Sequence, residues 1–176
     1  MVRSQINTQK SIRRGRLVFH LNTELFISKI FENVTWLILL VLPVLPLMNK
    51  SNKTTFATLS FIIPFLTFML FSLYFMNRLT KICGVNPTFN KFKMIEILKQ
   101  KYPMFKIDDS GQKIIRCKKK AGLFSWGKEI TVIFEEHRMY INSTTLGRDH
   151  IKSPFHSIFN TIAMLQINRD FQQNKS

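Results

Sequence analysis

Two uncharged apolar runs dominate the first half of the chain. Residues 34–48 and 56–76 contain no charged side chain, and the seven residues NKSNKTT separate them. A helix rises about 1.5 Å per residue, so the second run would extend about 30 Å, the thickness of the hydrocarbon core of a bilayer. The pattern therefore predicts a transmembrane hairpin over residues 30–77, with spans at about 30–48 and 56–76.

The second half of the chain changes to a pattern of helices and alternating strands. Residues 88–102 place apolar side chains at helical spacing among lysines, with Thr88 or Asn90 as the capping residue. Ser153 followed by Pro154 predicts the start of a last helix, because serine caps a helix and proline suits its first turn. Turn residues separate four runs of strand character, at 104–108, 112–119, 129–135 and 138–145.

These elements predict an α+β domain over residues 88–171, in the order helix, four-stranded antiparallel meander and C-terminal helix. Residues 172–176 would form a polar tail, and residues 1–29 a basic N-terminal arm with an interfacial helix. The predicted fold class is therefore a membrane protein that combines a two-helix transmembrane hairpin with a small cytosolic α+β domain.

The distribution of basic residues predicts an orientation for the hairpin. The chain has 26 Lys and Arg against 10 Asp and Glu, which gives a net charge of +16. Six of the basic residues lie before the first run, two lie between the runs and eighteen follow the second. Basic residues concentrate on the cytoplasmic side of membrane proteins. The sequence thus predicts a multi-pass protein of the cell membrane, of bacterial inner-membrane type, with both termini in the cytoplasm.

The basic charge also bears on partners. It suits nucleic acid or anionic lipid headgroups, and next to two predicted spans the lipid bilayer is the simpler partner. A protein partner and a homo-oligomer are also expected, whereas nucleic acid is disfavoured. Lysines beside an aromatic loop would suit a membrane surface or a partner, although a solvated strand end explains them equally well. The candidate contact residues are Arg13, Arg14, Arg16, Lys118, Lys119, Lys120, Phe124 and Trp126.

Residues with the capacity for chemistry are scattered. Neither cysteine belongs to a CxxC motif, and no histidine has a second histidine or a cysteine three or four residues away. Phosphate-binding, dinucleotide-binding, nucleophile-elbow and zinc-protease motifs do not occur in the sequence. We therefore expect no catalytic residue, no metal and no cofactor.

Taken together, these patterns predict a non-enzymatic, membrane-anchored interaction protein. Its basic cytosolic domain would dock a protein partner or anionic lipid headgroups, as a subunit of a membrane complex or as an immunity-type protein does. Three alternatives stay open: an oligomeric channel or transporter subunit, a membrane enzyme of unrecognised chemistry, and a nucleic-acid-binding protein. The uncharged spans disfavour transport, because ion and substrate paths usually carry an ionisable residue.

Overall fold

The structure is a computed structural model that describes most of the chain. The described residues are 6–20, 30, 34, 36–38, 41, 52–109, 113–122, 125–147 and 152–173. The helices defined among them are α1 (Thr8–Arg14), α2 (Asn52–Phe75), α3 (Pro87–Lys101) and α4 (Ser157–Gln173), the last preceded by a 3-10 turn at Pro154–His156. The strands are β1 (Thr80–Cys83), β2 (Lys106–Asp109), β3 (Ile114–Lys119), β4 (Gly127–Phe134) and β5 (Arg138–Leu146).

The strands form one five-stranded antiparallel sheet in the order β1-β5-β4-β3-β2. Strands β2 to β5 follow one another as a meander, and β1 adds to the outer side of β5, with Thr80 opposite Ile141. The prediction of four strands is therefore wrong. Strand β1 has four residues, and Ile82 is its one fully buried side chain. A strand this short shows too little alternation to be separated from a connector by sequence.

The predicted transmembrane hairpin over residues 30–77 is also wrong. Within the described parts of the chain, no helix combines the length and the apolar character that crossing a bilayer requires. This finding contradicts the two-helix hairpin, the class of integral membrane protein, and the multi-pass location with cytoplasmic termini. Helix α2 occupies most of the second predicted span and packs against α4 and the 3-10 turn. The first predicted span, at about 30–48, lies mostly outside the described residues.

The main hydrophobic core lies between one face of the sheet and helices α3 and α4. Its strand residues alternate, so that Val132 and Phe134 of β4 point to this core while Ile133 points to the opposite face. The largest fully buried side chain in the core is Phe171 of α4. Other fully buried members are Met94, Leu98, Ile115, Ile130, Met139, Ile141 and Ile167.

A second, smaller core fixes the N-terminal segment on the opposite face of the sheet. Ile6 and Leu17 are buried there against Leu79, Ile133 and Tyr140. Helix α1 begins at the Asn7 cap, whose side chain accepts the N–H of Lys10 at 3.0 Å. It ends at Gly15, which adopts a left-handed conformation with φ of 61°. Residues 6–20 of the predicted basic arm thus form a capped helix and an extended segment, both packed on the domain. Residues 1–5 and 21–29 of the arm lie outside the described residues.

Candidate functional site

Helices α2 and α4 together expose large apolar side chains, which we call the α2–α4 face. Phe155 connects the two helices, because it stacks on Phe68 of α2 at 6.5 Å between ring centroids and precedes Phe159 by one helical turn. Phe159 is 67% exposed and Leu165 is 54% exposed. The two helices are in contact with each other. Exposed apolar side chains on adjoining helices are typical of an interaction site. The exposed members are Ile63, Leu70, Phe71, Tyr74, Phe155, Ile158, Phe159, Ile162 and Leu165.

Basic side chains stack on aromatic rings at the C-terminal end of α2. The guanidinium carbon of Arg16 lies 4.8 Å from the centroid of Tyr74, and that of Arg78 lies 5.1 Å from the centroid of Phe75. A cation over a ring face is attracted by the electrons of the ring. Arg16 and Arg78 also pair through an isolated antiparallel β-bridge. One end of the α2–α4 face therefore borders on positive charge.

A cleft of about 730 Å³ lies between α1 with the segment that follows it and the end of α2. Its walls include Lys10, Arg14, Arg16 and His20 on one side and Tyr74 on the other. None of the described residues that line it is acidic. Main-chain hydrogen bonds hold the two walls together, from Leu17 N–H to the Asn77 carbonyl at 2.9 Å and from Leu79 N–H to the Gly15 carbonyl at 2.8 Å. The cleft therefore concentrates positive charge beside an aromatic surface.

Of the three predicted contact residues in the N-terminal arm, only two line the cleft. Arg13 and Arg14 occupy the last turn of α1, and Arg16 follows the Gly15 cap. Arg14 and Arg16 line the cleft, whereas Arg13 is not among its lining residues. The role predicted for them, contact with a membrane surface or a partner, stays a prediction.

The other predicted contact residues lie elsewhere on the sheet. Lys118 pairs with Glu129, with 3.2 Å between Nζ and Oε1, and Lys119 lies opposite Lys128. Lys120 follows the end of β3, and Trp126, 55% exposed, precedes β4. Phe124 lies outside the described residues. Arg16 lies beside β1, and three strand spacings separate β1 from β3 in the sheet. At about 4.8 Å for each spacing, the two strands are roughly 14 Å apart. The two predicted groups therefore do not form one site.

Trp126 lies beside a small polar cluster at the start of α4. Its ring is 4.9 Å from that of His156, and His156 Nδ1 is 2.8 Å from Ser153 Oγ. Burial, and then the nearby charge of Lys128, lowers the pKa of His156, and burial also lowers the pKa of Lys128. Burial is the main cause of both shifts. Ser153 and His156 are three residues apart in sequence, so this contact is local to the helix start.

Two further groups have pKa values raised by burial. The Cys117 thiol, in the main core, has its pKa raised to about 11. The pKa of Tyr102 is raised by burial and, to a lesser extent, by the charges of Cys117 and Asp170. Among the described residues, no group of three or more His, Cys, Asp or Glu side chains could hold a metal ion. Cys117 therefore belongs to the core and not to a cluster of potential ligands.

Neither the cleft nor the α2–α4 face was predicted from the sequence. Lys10 and His20 line the cleft with Tyr74, more than fifty residues further along the chain. No local motif records such a long-range contact. Signals for the α2–α4 face existed, namely the apolar stripe of the last predicted helix and the uncharged run at residues 56–76. That run was interpreted as lipid-facing and not as half of a surface shared with α4.

Comparisons of this chain with protein-family models, with curated proteins and with solved structures give no match, so the argument for function rests on the geometry of these surfaces.

Proposed function

We propose that this protein is a non-enzymatic binding module whose α2–α4 face takes up the apolar surface of an acidic protein partner. The observation that carries the proposal is the exposed stripe of α4. Ile158, Phe159, Ile162 and Leu165 of α4, with Phe155 of the preceding 3-10 turn, are 40–67% exposed. Each has another member of the set three or four residues away, which places them on one side of the helix. Complete burial of a side chain of this size contributes about 1.5–3 kcal/mol, so burial of the part that is still exposed contributes about half of that. The five together contribute about 4–7 kcal/mol, which is comparable with the lower end of the entropic cost of association, about 4–15 kcal/mol, and the apolar side chains of the partner add to this gain.

The charge of the chain supports an acidic partner over a second copy of itself. Each copy carries a net charge of +16, so two copies repel each other over the Debye length, about 8 Å at physiological ionic strength. Arg16 and Arg78 lie beside the rings of Tyr74 and Phe75, where the face ends. Acidic side chains at the edge of a partner would meet these cations, which accelerates association and fixes the orientation of the complex.

The test begins with cross-linking and affinity capture on the 176-residue chain, followed by purification of the captured protein and titration calorimetry. We expect a stoichiometric acidic protein that cross-links next to α4. The Phe159→Ser variant should weaken its binding by about tenfold or more, as truncation at the centre of an interface does. Phe92→Ser is the matched control, because Phe92 is 71% exposed on α3 and outside the α2–α4 face.

Three results would overturn the proposal. Equal losses in Phe159→Ser and Phe92→Ser would show that general exposed hydrophobicity, and not this face, drives capture. Concentration-dependent dimers in sedimentation velocity that Phe159→Ser abolishes would assign the face to a second copy. Binding to vesicles of anionic lipid that Phe159→Ser abolishes, with no protein captured, would assign it to a lipid surface.

A further inference from the structure

We infer that the cleft between α1 and the end of α2 binds a phosphoryl group attached to an apolar moiety. The inference does not rest on the α2–α4 face, because the cleft is formed largely by the N-terminal segment. Lys10, Arg14 and Arg16 contribute three cationic groups, and His20 contributes an imidazole. All four residues are exposed, so an anion can reach them from solvent.

The charge pattern of the cleft favours an anion with more than one negative charge. No carboxylate is present among the described lining residues. Four ion pairs among the described residues engage lysines of α3 and β3, on other parts of the domain. A phosphate monoester carries about −1.5 to −2 charges at neutral pH and has three acceptor oxygens. Arginine matches such a group with two parallel N–H donors.

The size and the opposite wall of the cleft favour a ligand larger than inorganic phosphate. Its volume of about 730 Å³ lies within the usual range for small-molecule sites, about 300–1,000 Å³. Leu17, Phe19, Leu73 and Tyr74 supply apolar surface next to the cations. Arg16 stacks on Tyr74, and stacking restrains a guanidinium without using its N–H donors, which lie in the plane of the group. A phosphoryl group joined to an apolar group would use both walls.

The walls are held in place before any ligand arrives. The caps at Asn7 and Gly15 fix both ends of α1. The N–H of Arg16 donates to the Ser11 carbonyl at 3.1 Å, and Ser11 Oγ accepts the N–H of Val18 at 2.8 Å. These bonds fix the backbone of the cleft, so little main-chain freedom is lost on binding, which raises affinity for a given set of contacts.

Titration calorimetry of the 176-residue chain with phenyl phosphate tests the inference. We expect saturable binding at one site, and no binding of benzyl alcohol, which lacks the charge. Arg16→Gln and Lys10→Gln should each weaken binding by roughly tenfold, equivalent to about 1.4 kcal/mol. Lys119→Gln is the matched control, because it removes the same charge from an exposed position outside the cleft. Far-UV circular dichroism establishes that each variant is folded.

Absence of saturable binding at millimolar phenyl phosphate would overturn the inference. Equal weakening by Lys119→Gln and by the two cleft variants would also overturn it, because the interaction would then follow total charge alone. Two variants at separate positions keep the test decisive if one of them does not fold.

A competition experiment distinguishes two sources of the phosphoryl group. Vesicles that contain phosphatidic acid displace phenyl phosphate if the natural ligand is a lipid headgroup, whereas vesicles of phosphatidylcholine alone do not. Phenyl phosphate that stays bound in the presence of both indicates a soluble phosphate monoester. The Phe159→Ser variant should bind phenyl phosphate like the unmodified chain, so failure of the α2–α4 proposal and failure of this one are separable.

Discussion

Replacement of Gly84 by alanine is expected to destabilise the protein through one neighbour, Asn90. The Gly84 N–H donates to the His137 carbonyl at 2.9 Å, next to the end of β1. A Cβ atom at Gly84 would lie 2.1 Å from Nδ2 and 2.5 Å from Oδ1 of Asn90. The Asn90 side chain is fully buried, and its Oδ1 accepts the N–H of Val85 at 2.8 Å. The new methyl group therefore displaces a buried amide from its hydrogen bond.

Two costs combine in this variant. Inserting a methyl group into a closed space costs about 1–3 kcal/mol. Loss of the hydrogen bond between Asn90 and Val85 adds about 0.5–1.5 kcal/mol. The free energy of unfolding should thus fall by about 2–4 kcal/mol. At about 2–4 °C per kcal/mol for a chain of this size, the melting temperature should fall by roughly 5–15 °C.

A double-mutant cycle measured by urea unfolding tests whether Asn90 is the cause. Asn90→Ala removes the atoms that the new Cβ would meet. Among the described glycines only Gly15 has a positive φ, so alanine suits the backbone at Gly84. In the Asn90→Ala background, Gly84→Ala should therefore be neutral or stabilising by about 0.4–1 kcal/mol. If Gly84→Ala costs the same in both backgrounds, the clash with Asn90 is not the reason and the argument fails.

Two other predictions follow from burial. N-ethylmaleimide should label exposed Cys83 rapidly and leave Cys117 unmodified until denaturant is added, because Cys117 is fully buried with a thiol pKa of about 11. Mass spectrometry of the labelled peptides measures this, and similar labelling rates would contradict the placement of Cys117. Acidification should destabilise the protein through His156, whose pKa is lowered by burial. The unfolded chain binds the proton more readily, so this stability is full above the ordinary histidine pKa of about 6.5 and is lost as the pH falls toward the lower folded value. Urea midpoints should fall more on acidification in the unmodified chain than in His156→Gln, and parallel pH profiles would exclude the contribution.

The helices and strands of the second half were largely predictable because their signals are local. Strand β4 lies within one residue of its predicted bounds at 129–135 on the C-terminal side, and β5 within one residue of 138–145. The capping residue of α3 was not predicted correctly from the local sequence. Thr88 or Asn90 was expected to cap α3, but the Asn86 side chain does so, accepting the N–H of Phe89 at 2.7 Å.

The role of Asn90 depends on tertiary structure and so could not be predicted. Its side chain turns back to Val85 because β1 ends beside the first turn of α3. The cleft depends in the same way on a contact between distant segments. Leu17 and Asn77 are joined by a main-chain hydrogen bond, and main-chain atoms carry no sequence signal. Arg14 and Arg16 were predicted as contact residues from charge alone, whereas the position of Tyr74 beside them depends on the fold.

The misinterpreted apolar run shows why composition alone could not separate lipid contact from protein contact. Both environments remove apolar side chains from water, so an uncharged run suits either one. Periodicity normally distinguishes them, but it needs polar residues on the opposite face. The buried positions Ile62 and Met69 of α2 lie seven residues apart, on one face of the helix, and Met76, directly after its end, continues the same spacing. The exposed positions Ile63 and Leu70 are equally apolar. The apolar exposed positions that hid the buried stripe from sequence reasoning are therefore the same positions that give α2 its exposed apolar surface.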